Sequence, residues 1–215
     1  MNINGRHVTV WHGGFFFIPF AYKPFNLIQM PRIKTIDYEN SQGRLREIYD
    51  DLRSRRGKLA SVHTIQSLRP ESIVHHMDLY MEIMFSRSEL SRAEREMMAV
   101  VVSVANGCSY CRNHHSQALN HYWRNEEKIA MLVNKKWDTF LTEKEQALCL
   151  YSRHLTLEPS AHEDQDFTLT LREAGLSDPA ILDATLVIAY FNFVNRIVLS
   201  LDVELEEGGA GGYRY

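Results

Sequence analysis

Cys108 and Cys111 form a C-x-x-C pair, His115 follows Cys111 by four residues, and Glu96 precedes Cys108 by twelve. A thiol pair at this spacing can cycle between dithiol and disulfide, because the second sulfur comes within bonding reach of the first once the helical turn adjusts. Peroxide reduction is one such cycle. A thiolate attacks the O–O bond, becomes a sulfenic acid and is captured by its neighbour as a disulfide. His115, one turn after Cys111, is spaced to accept a thiol proton directly or through a water. Glu96 could orient the imidazole or receive that proton onward.

Two other readings compete. The run C-x-x-C-x-x-H-H offers zinc four ligands, Cys108, Cys111, His114 and His115. Structural zinc usually draws its second ligand pair from a separate element, and His114 leaves an α-helix about 100° away from His115, so the spacing counts against metal. The remaining reading makes both thiols small core residues. It has to explain why two of the three cysteines sit beside a histidine and a carboxylate on an apolar segment.

The elements that must hold these residues are helical. Ser91-x-x-Glu94 is a capping box that starts a helix through Met97 to Ala105, apolar nearly all round and therefore expected to be buried. Glu94 is then a cap, whereas Glu96 lies beyond it and needs a partner, either a polar cavity or a nearby arginine. Asn106-Gly107 interrupts the helix, and Cys108 opens a fresh one through Tyr122. At 100° per residue Cys108, Cys111 and His115 fall within roughly 60° of arc and address one small volume. The helix N-terminus favours thiolate at Cys108, while proximity to His115 favours it at Cys111.

Upstream, an apolar face at Leu45, Ile48, Tyr49 and Leu52 predicts a helix ended by Gly57. Ser61 to Leu68 reads as a connecting segment, and Pro70 opens a helix through Met84. Downstream, helices are expected at Asn125 to Asn134, from the capping box Thr142-x-x-Glu145 to Leu155, from about Glu163 to Gly175, and from Ser177-Asp178-Pro179 onward. Cys149 reads as a small core residue, and Asn192, Asn195 and Arg196 as satisfying polar groups on an apolar helix. The count is seven or eight helices with no convincing strand pair. The fold class is all-α, with a domain over residues 31–206, an N-terminal extension or arm over 1–30 and a flexible Gly-rich tail over 207–215.

The chain has 215 residues, 45% of them hydrophobic, and a formal net charge of −3. This balance gives no basic surface for nucleic acid or anionic membranes. No run approaching the roughly 18 apolar residues of a membrane span stands out. Three cysteines are too few for the disulfide framework of a small secreted protein, so a cytoplasmic setting is expected.

The pattern Glu96-x11-Cys108-x2-Cys111-x3-His115 resembles the core of the alkylhydroperoxidase D and carboxymuconolactone decarboxylase-like family. S-x-x-E-R-E at 91–96, V-S-x-x-N-G-C-x-Y-C at 102–111 and F-N-x-x-N-R at 191–196 resemble its peroxidase-related branch. The resemblance covers most of residues 31–206. It implies an all-helical fold and a homo-oligomer; no cofactor and no metal are expected. It further implies antioxidant reduction of a hydroperoxide, with Cys111 as the attacking thiol, Cys108 as its resolving partner, and an external thiol or disulfide reductant. The alkylhydroperoxidase D relay has a histidine between the cysteines, where this chain has Tyr110, a candidate accessory residue whose phenol is a poor proton shuttle at neutral pH. Decarboxylation, the other chemistry of the superfamily, does not need the thiol pair.

Overall fold

The computed structural model describes residues 31–206 together with Gly209 and Gly211. The expected arm at 1–30 and most of the tail lie outside the described residues. Among the described residues there are nine α-helices and no strand: α1 Gly43–Arg56, α2 Ser61–Thr64, α3 Pro70–Phe85, α4 Arg92–Ala105, α5 Ser109–Trp123, α6 Glu126–Val133, α7 Glu143–Leu157, α8 Thr168–Glu173 and α9 Asp178–Leu201. Short 3₁₀ turns occupy Trp137–Thr139 and Pro159–Glu163. The architecture is all-α, as expected. It has more helices than the sequence reading because one turn of helix forms inside the segment taken as a connection between α1 and α3. The helix expected from about Glu163 begins instead at Thr168, the preceding residues forming the tighter 3₁₀ turn after Pro159.

Helix α4 is the axis of the molecule. Its capping box is formed as the sequence predicts, with Ser91 Oγ accepting from the Glu94 N–H at 3.2 Å and Glu94 Oε2 from the Ser91 N–H at 2.7 Å. From Arg95 to Ser103 every residue is buried, and α5, α7 and α9 pack around it. A helix enclosed on all sides has no solvated stripe, which is why its sequence is apolar all round. Arg95 is tolerated there because its guanidinium donates to the carbonyls of Leu90, Ile83 and Ser86 at 3.0, 3.0 and 2.9 Å. Helix α1 lies outside this core and packs on α3 through Leu45, Ile48, Tyr49, Leu52 and Ile73. Helix α9 is long and apolar enough to cross a membrane by length and composition, with a mean hydropathy of 1.5, a run the sequence reading did not pick out. In this fold Ala184, Val187, Ile188, Phe191 and Val194 of α9 are buried in the main core.

The turn from α4 to α5 fixes the thiols. The Gly107 N–H donates to the Val104 carbonyl at 3.2 Å and the Cys108 N–H to the Ser103 carbonyl at 2.9 Å, the paired bonds of a Schellman motif. Gly107 has φ +68° there, so the chain reverses without strain and delivers Cys108 directly to the N-cap of α5. Asn106 ties the turn to α9, its Nδ2 donating to Asn192 Oδ1 at 3.0 Å and Asn195 Oδ1 at 3.2 Å. Arg196 Nη1 donates to Asn192 Oδ1 at 2.7 Å and the Asn192 carbonyl at 2.8 Å, so the F-N-x-x-N-R residues serve as braces, the role the sequence reading gave them. An alanine at Gly107 meets no neighbouring atom within 4 Å, so its cost comes from the left-handed backbone alone. Gly107→Ala is expected to lose about 1 kcal/mol in urea unfolding and about 2–4 °C in Tm.

Candidate active site

Cys108, Cys111, His115 and Glu96 come together where α4 passes α5. Glu96 is fully buried, and each of its oxygens has its own partner. Arg92 Nη2 donates to Oε1 at 2.6 Å and His115 Nδ1 to Oε2 at 2.7 Å. The two sequence expectations for Glu96, an imidazole and an arginine, are therefore both met. Burial works to raise the Glu96 carboxyl, but His115 and Arg92 outweigh it and hold the group below its ordinary value. Arg92 is anchored in turn by the Met84 carbonyl at 2.7 Å, the Tyr80 hydroxyl at 3.1 Å and the Phe85 ring, 3.6 Å beneath its guanidinium. An ionised carboxylate only accepts, so in neutral His115 the proton sits on Nδ1 and the Nε2 lone pair is left for a reacting proton. The His115 ring is held edge-on against Phe191, with centroids 4.4 Å apart.

The two cysteines are not equivalent. Cys108 is the N-cap of α5, and its sulfur accepts from the Cys111 N–H at 3.4 Å. The Cys111 thiol donates to the same sulfur, which lowers the Cys108 pKa and, together with burial, raises that of Cys111. Acidity therefore favours Cys108, through the Cys111 thiol first and the Cys111 N–H at the helix N-terminus after it. Access follows the other order: Cys111 lines a cavity of about 80 Å³, whereas Cys108 does not. Cys149 is fully buried in α7 and burial raises its thiol, in keeping with a core role.

The same cavity is walled by residues that the spacing argument set aside or missed. Tyr110 and His114 both line it. Their polar atoms meet at Glu206, whose Oε1 accepts from the Tyr110 hydroxyl at 2.7 Å and whose Oε2 lies 3.1 Å from His114 Nε2. The Tyr110 hydroxyl also accepts from the Val62 N–H at 3.1 Å, and Glu206 Oε1 from the Ser61 N–H at 2.6 Å. His114 does leave the helix in a different direction from His115, but that direction is still a wall of the cavity. Because the two imidazoles engage different carboxylates, Cys108, Cys111, His114 and His115 are not assembled around one point. No group of three or more potential ligand side chains is gathered as a metal site among the described residues.

His63 and His76 complete the far wall. Gln66 Nε2 donates to the Val62 carbonyl at 2.8 Å and lies 2.9 Å from His76 Nδ1, so it donates to both and leaves the His76 proton on Nε2. Burial lowers His63 to about 3 and His76 to about 4, so both are neutral at ordinary pH. His76 was legible as a histidine on the buried face of α3, in step with Ile73 and Tyr80. His63 and Glu206 carry no local signal.

Residues 72–150, which contain Glu96, both site cysteines and His115, match the sequence profile of the carboxymuconolactone decarboxylase family. The chain is 28% identical over 134 residues to the uncharacterized protein YdfG of Bacillus subtilis (strain 168), spanning 62% of this chain and 89% of that one. Its fold is shared with the alkylhydroperoxidase AhpD core of a peroxidase-related protein from Ralstonia eutropha JMP134, with a TM-score of 0.73 at 20% identity over 83% of this chain and 93% of that one. The debrominase Bmp8, solved with 2,3,4-tribromopyrrole, has the same fold, with a TM-score of 0.67 at 20% identity over 86% and 94% of the two chains. Residues 72–150 thus resemble the carboxymuconolactone decarboxylase family, and the helical domain built around them has the alkylhydroperoxidase D-like fold.

Glu206 provides a pH test of this wall. Burial raises its carboxyl, but His114, the Ser61 N–H and the Tyr110 hydroxyl outweigh that and hold it at about 2, below its ordinary 4.5. A carboxyl depressed on folding contributes stability that is complete above about pH 4.5 and is lost as the pH falls towards about 2. Glu206→Gln is expected to cost about 2 kcal/mol at neutral pH, after allowance for solvent screening. In urea titrations the gap between wild type and variant should close between about pH 5 and pH 2. A gap that stays constant across this range would contradict the assignment.

Proposed function

We infer that the protein is a thiol-dependent hydroperoxide reductase with Cys111 as the attacking thiol, Cys108 as the resolving thiol, and His115 with Glu96 as the proton relay. The observation that carries this reading is the asymmetry of the thiol pair. The sulfur open to the cavity is one turn from an imidazole whose free nitrogen is fixed by a buried carboxylate, and the sulfur behind it is the more acidic of the two. His115 Nε2 takes the Cys111 proton. The Cys111 thiolate attacks the distal oxygen of ROOH and the O–O bond breaks, leaving Cys111–SOH and RO⁻, which recovers the proton as ROH. The Cys108 thiolate then attacks the Cys111 sulfur and expels hydroxide, which is protonated to water. Two thiols and ROOH become one disulfide, ROH and water. An external dithiol restores the pair by a two-electron exchange, as a reducing cytoplasm allows.

A homo-oligomer fits the same reading. Leu182, Leu186 and Phe193 project from α9 into solvent within about 40° of arc, an apolar stripe of the kind that a second copy covers.

Reduced protein treated with tert-butyl hydroperoxide is expected to lose the two thiols of Cys108 and Cys111 and keep that of Cys149. Cys111→Ser should lose none, and Cys108→Ser should stop at a sulfenic acid trapped by dimedone. Glu96→Gln and His115→Ala should slow the first step by about 10²-fold or more. Site thiols that stay reduced while a control peroxidase oxidises would sink the reading. Bromide released from a bromopyrrole by the reduced protein, without reaction towards hydroperoxides, would turn it towards the chemistry named for Bmp8.

A further inference from the structure

The charges around the cavity balance except at one residue. Glu96 is matched by Arg92 and His115, and Glu206 by His114, the Ser61 N–H and the Tyr110 hydroxyl. Arg56, the last residue of α1, also lines the cavity, yet its guanidinium forms no ion pair or hydrogen bond with any of the described residues, and its Nε is buried without a partner. The Tyr80 ring centroid lies 5.2 Å from its guanidinium carbon. Asp51 and Asp78 stand in the adjoining groove between α1 and α3, but Asp51 is engaged by Arg55 at 2.8 Å and neither pairs with Arg56.

Other groups in the cavity share this lack of partners. His63 is only 8% exposed, lines the cavity and has a buried Nδ1 with no partner. The Tyr190 hydroxyl makes no hydrogen bond among the described residues, and His76 carries its proton on Nε2. A half-buried guanidinium with an unpartnered Nε, beside the buried and unpartnered His63 Nδ1, is costly, and a ligand that brings a negative charge into the cavity relieves that cost. Arg56 and Met77 line both the inner cavity and the outer groove of about 590 Å³, so Arg56 stands at the passage between them.

We propose that this cavity binds a carboxylate, held by the Arg56 guanidinium with the Tyr190 hydroxyl and the His76 N–H as further donors, and that the substrate is an organic hydroperoxide carrying such a group. The guanidinium fork suits a carboxylate bidentately. The cavity is small, so the carboxylate sits a few bonds from the atom presented to Cys111 and the remainder of the molecule extends into the groove. The proposal rests on Cys111 as the attacking thiol for its reacting end and on Arg56 for its anionic end, and the two can be tested apart.

Iodoacetate and iodoacetamide are probes of nearly equal size that differ in charge, and both alkylate a thiolate without any peroxide chemistry. Their rates at Cys111, located by peptide fragmentation, are to be compared in wild type, Arg56→Gln and Arg56→Lys. The ratio of iodoacetate to iodoacetamide should fall about tenfold in Arg56→Gln, as for the loss of a steering charge in a confined cleft. It should be retained in Arg56→Lys, and in wild type it should fall as salt is raised. Buried Cys149 reports folding in the same samples by staying unlabelled. Should Arg56→Gln label Cys149, the salt dependence of the wild-type ratio decides. A ratio indifferent to Arg56 and to salt, or a Cys111 that neither reagent reaches in the folded protein, overturns the carboxylate site. A ratio that responds as expected in a protein whose thiols survive hydroperoxide keeps the site and removes only the peroxidatic reading.

Discussion

The buried carboxylate of Glu96 is the constraint from which the rest of the site follows. An ionised carboxylate removed from water is tolerated only if each oxygen is paired, and here Arg92 takes one and His115 the other. Arg92 can do so because the Met84 carbonyl, Tyr80 and Phe85 hold its guanidinium in place. The pairing ties α3, α4 and α5 through one charged group. It also dictates which imidazole nitrogen faces the cavity, since the proton that bonds to Glu96 cannot sit on Nε2 as well. Removing Arg92 would leave a carboxylate oxygen stranded in the core, so the structural and the chemical use of Glu96 are the same interaction.

Much of the frame is legible in the sequence because its signals are local. Ser91 with Glu94, Thr142 with Glu145, and Pro70 at the first turn of α3 mark helix starts by groups that reach only three or four residues. The grouping of Glu96, Cys108, Cys111 and His115 is legible for the same reason. Glu96 to His115 spans one helix end and one turn, so helical geometry alone brings the four residues together. Where the reading failed, distance along the chain was the cause. Tyr110 and His114 meet Glu206, respectively 96 and 92 residues away, in the extended segment after α9, and no spacing rule reaches that far. The 100° between His114 and His115 gives them different carboxylate partners without taking His114 out of the cavity. A cavity walled by several elements admits side chains from more than one face of α5.

Tyr110 shows the two scales in one residue. In the sequence it stands where the alkylhydroperoxidase D pattern has a histidine, which draws attention to its proton. In the structure its hydroxyl donates to Glu206 and accepts from the Val62 N–H, so it joins α5 to α2 and to the C-terminal segment. Both bonds make the phenol part of the cavity wall. In the proposed cycle the proton route is the one through His115, whose carboxylate partner is already in place.

Helix dipole and imidazole favour different thiols, and in the proposed cycle acidity and access are divided between the two. Cys108 is stabilised as a thiolate by the N-terminus of α5 and by the Cys111 thiol and N–H, yet it does not line the cavity. Cys111 holds its proton more tightly but faces the substrate. In the proposed cycle this division serves both halves. During oxidation the cavity-facing sulfur meets the peroxide, while the sulfur behind it, whose thiolate is the more favoured of the two, resolves the sulfenic acid. During reduction an incoming thiolate can reach only Cys111, and the sulfur it expels is Cys108, the better leaving group because its thiolate is the more stable. A pair with the acidities reversed would present a cavity-facing but poorly resolved sulfur in one direction and a poor leaving group in the other. The Schellman turn at Gly107, by delivering Cys108 rather than Cys111 to the helix N-cap, sets the direction of that asymmetry.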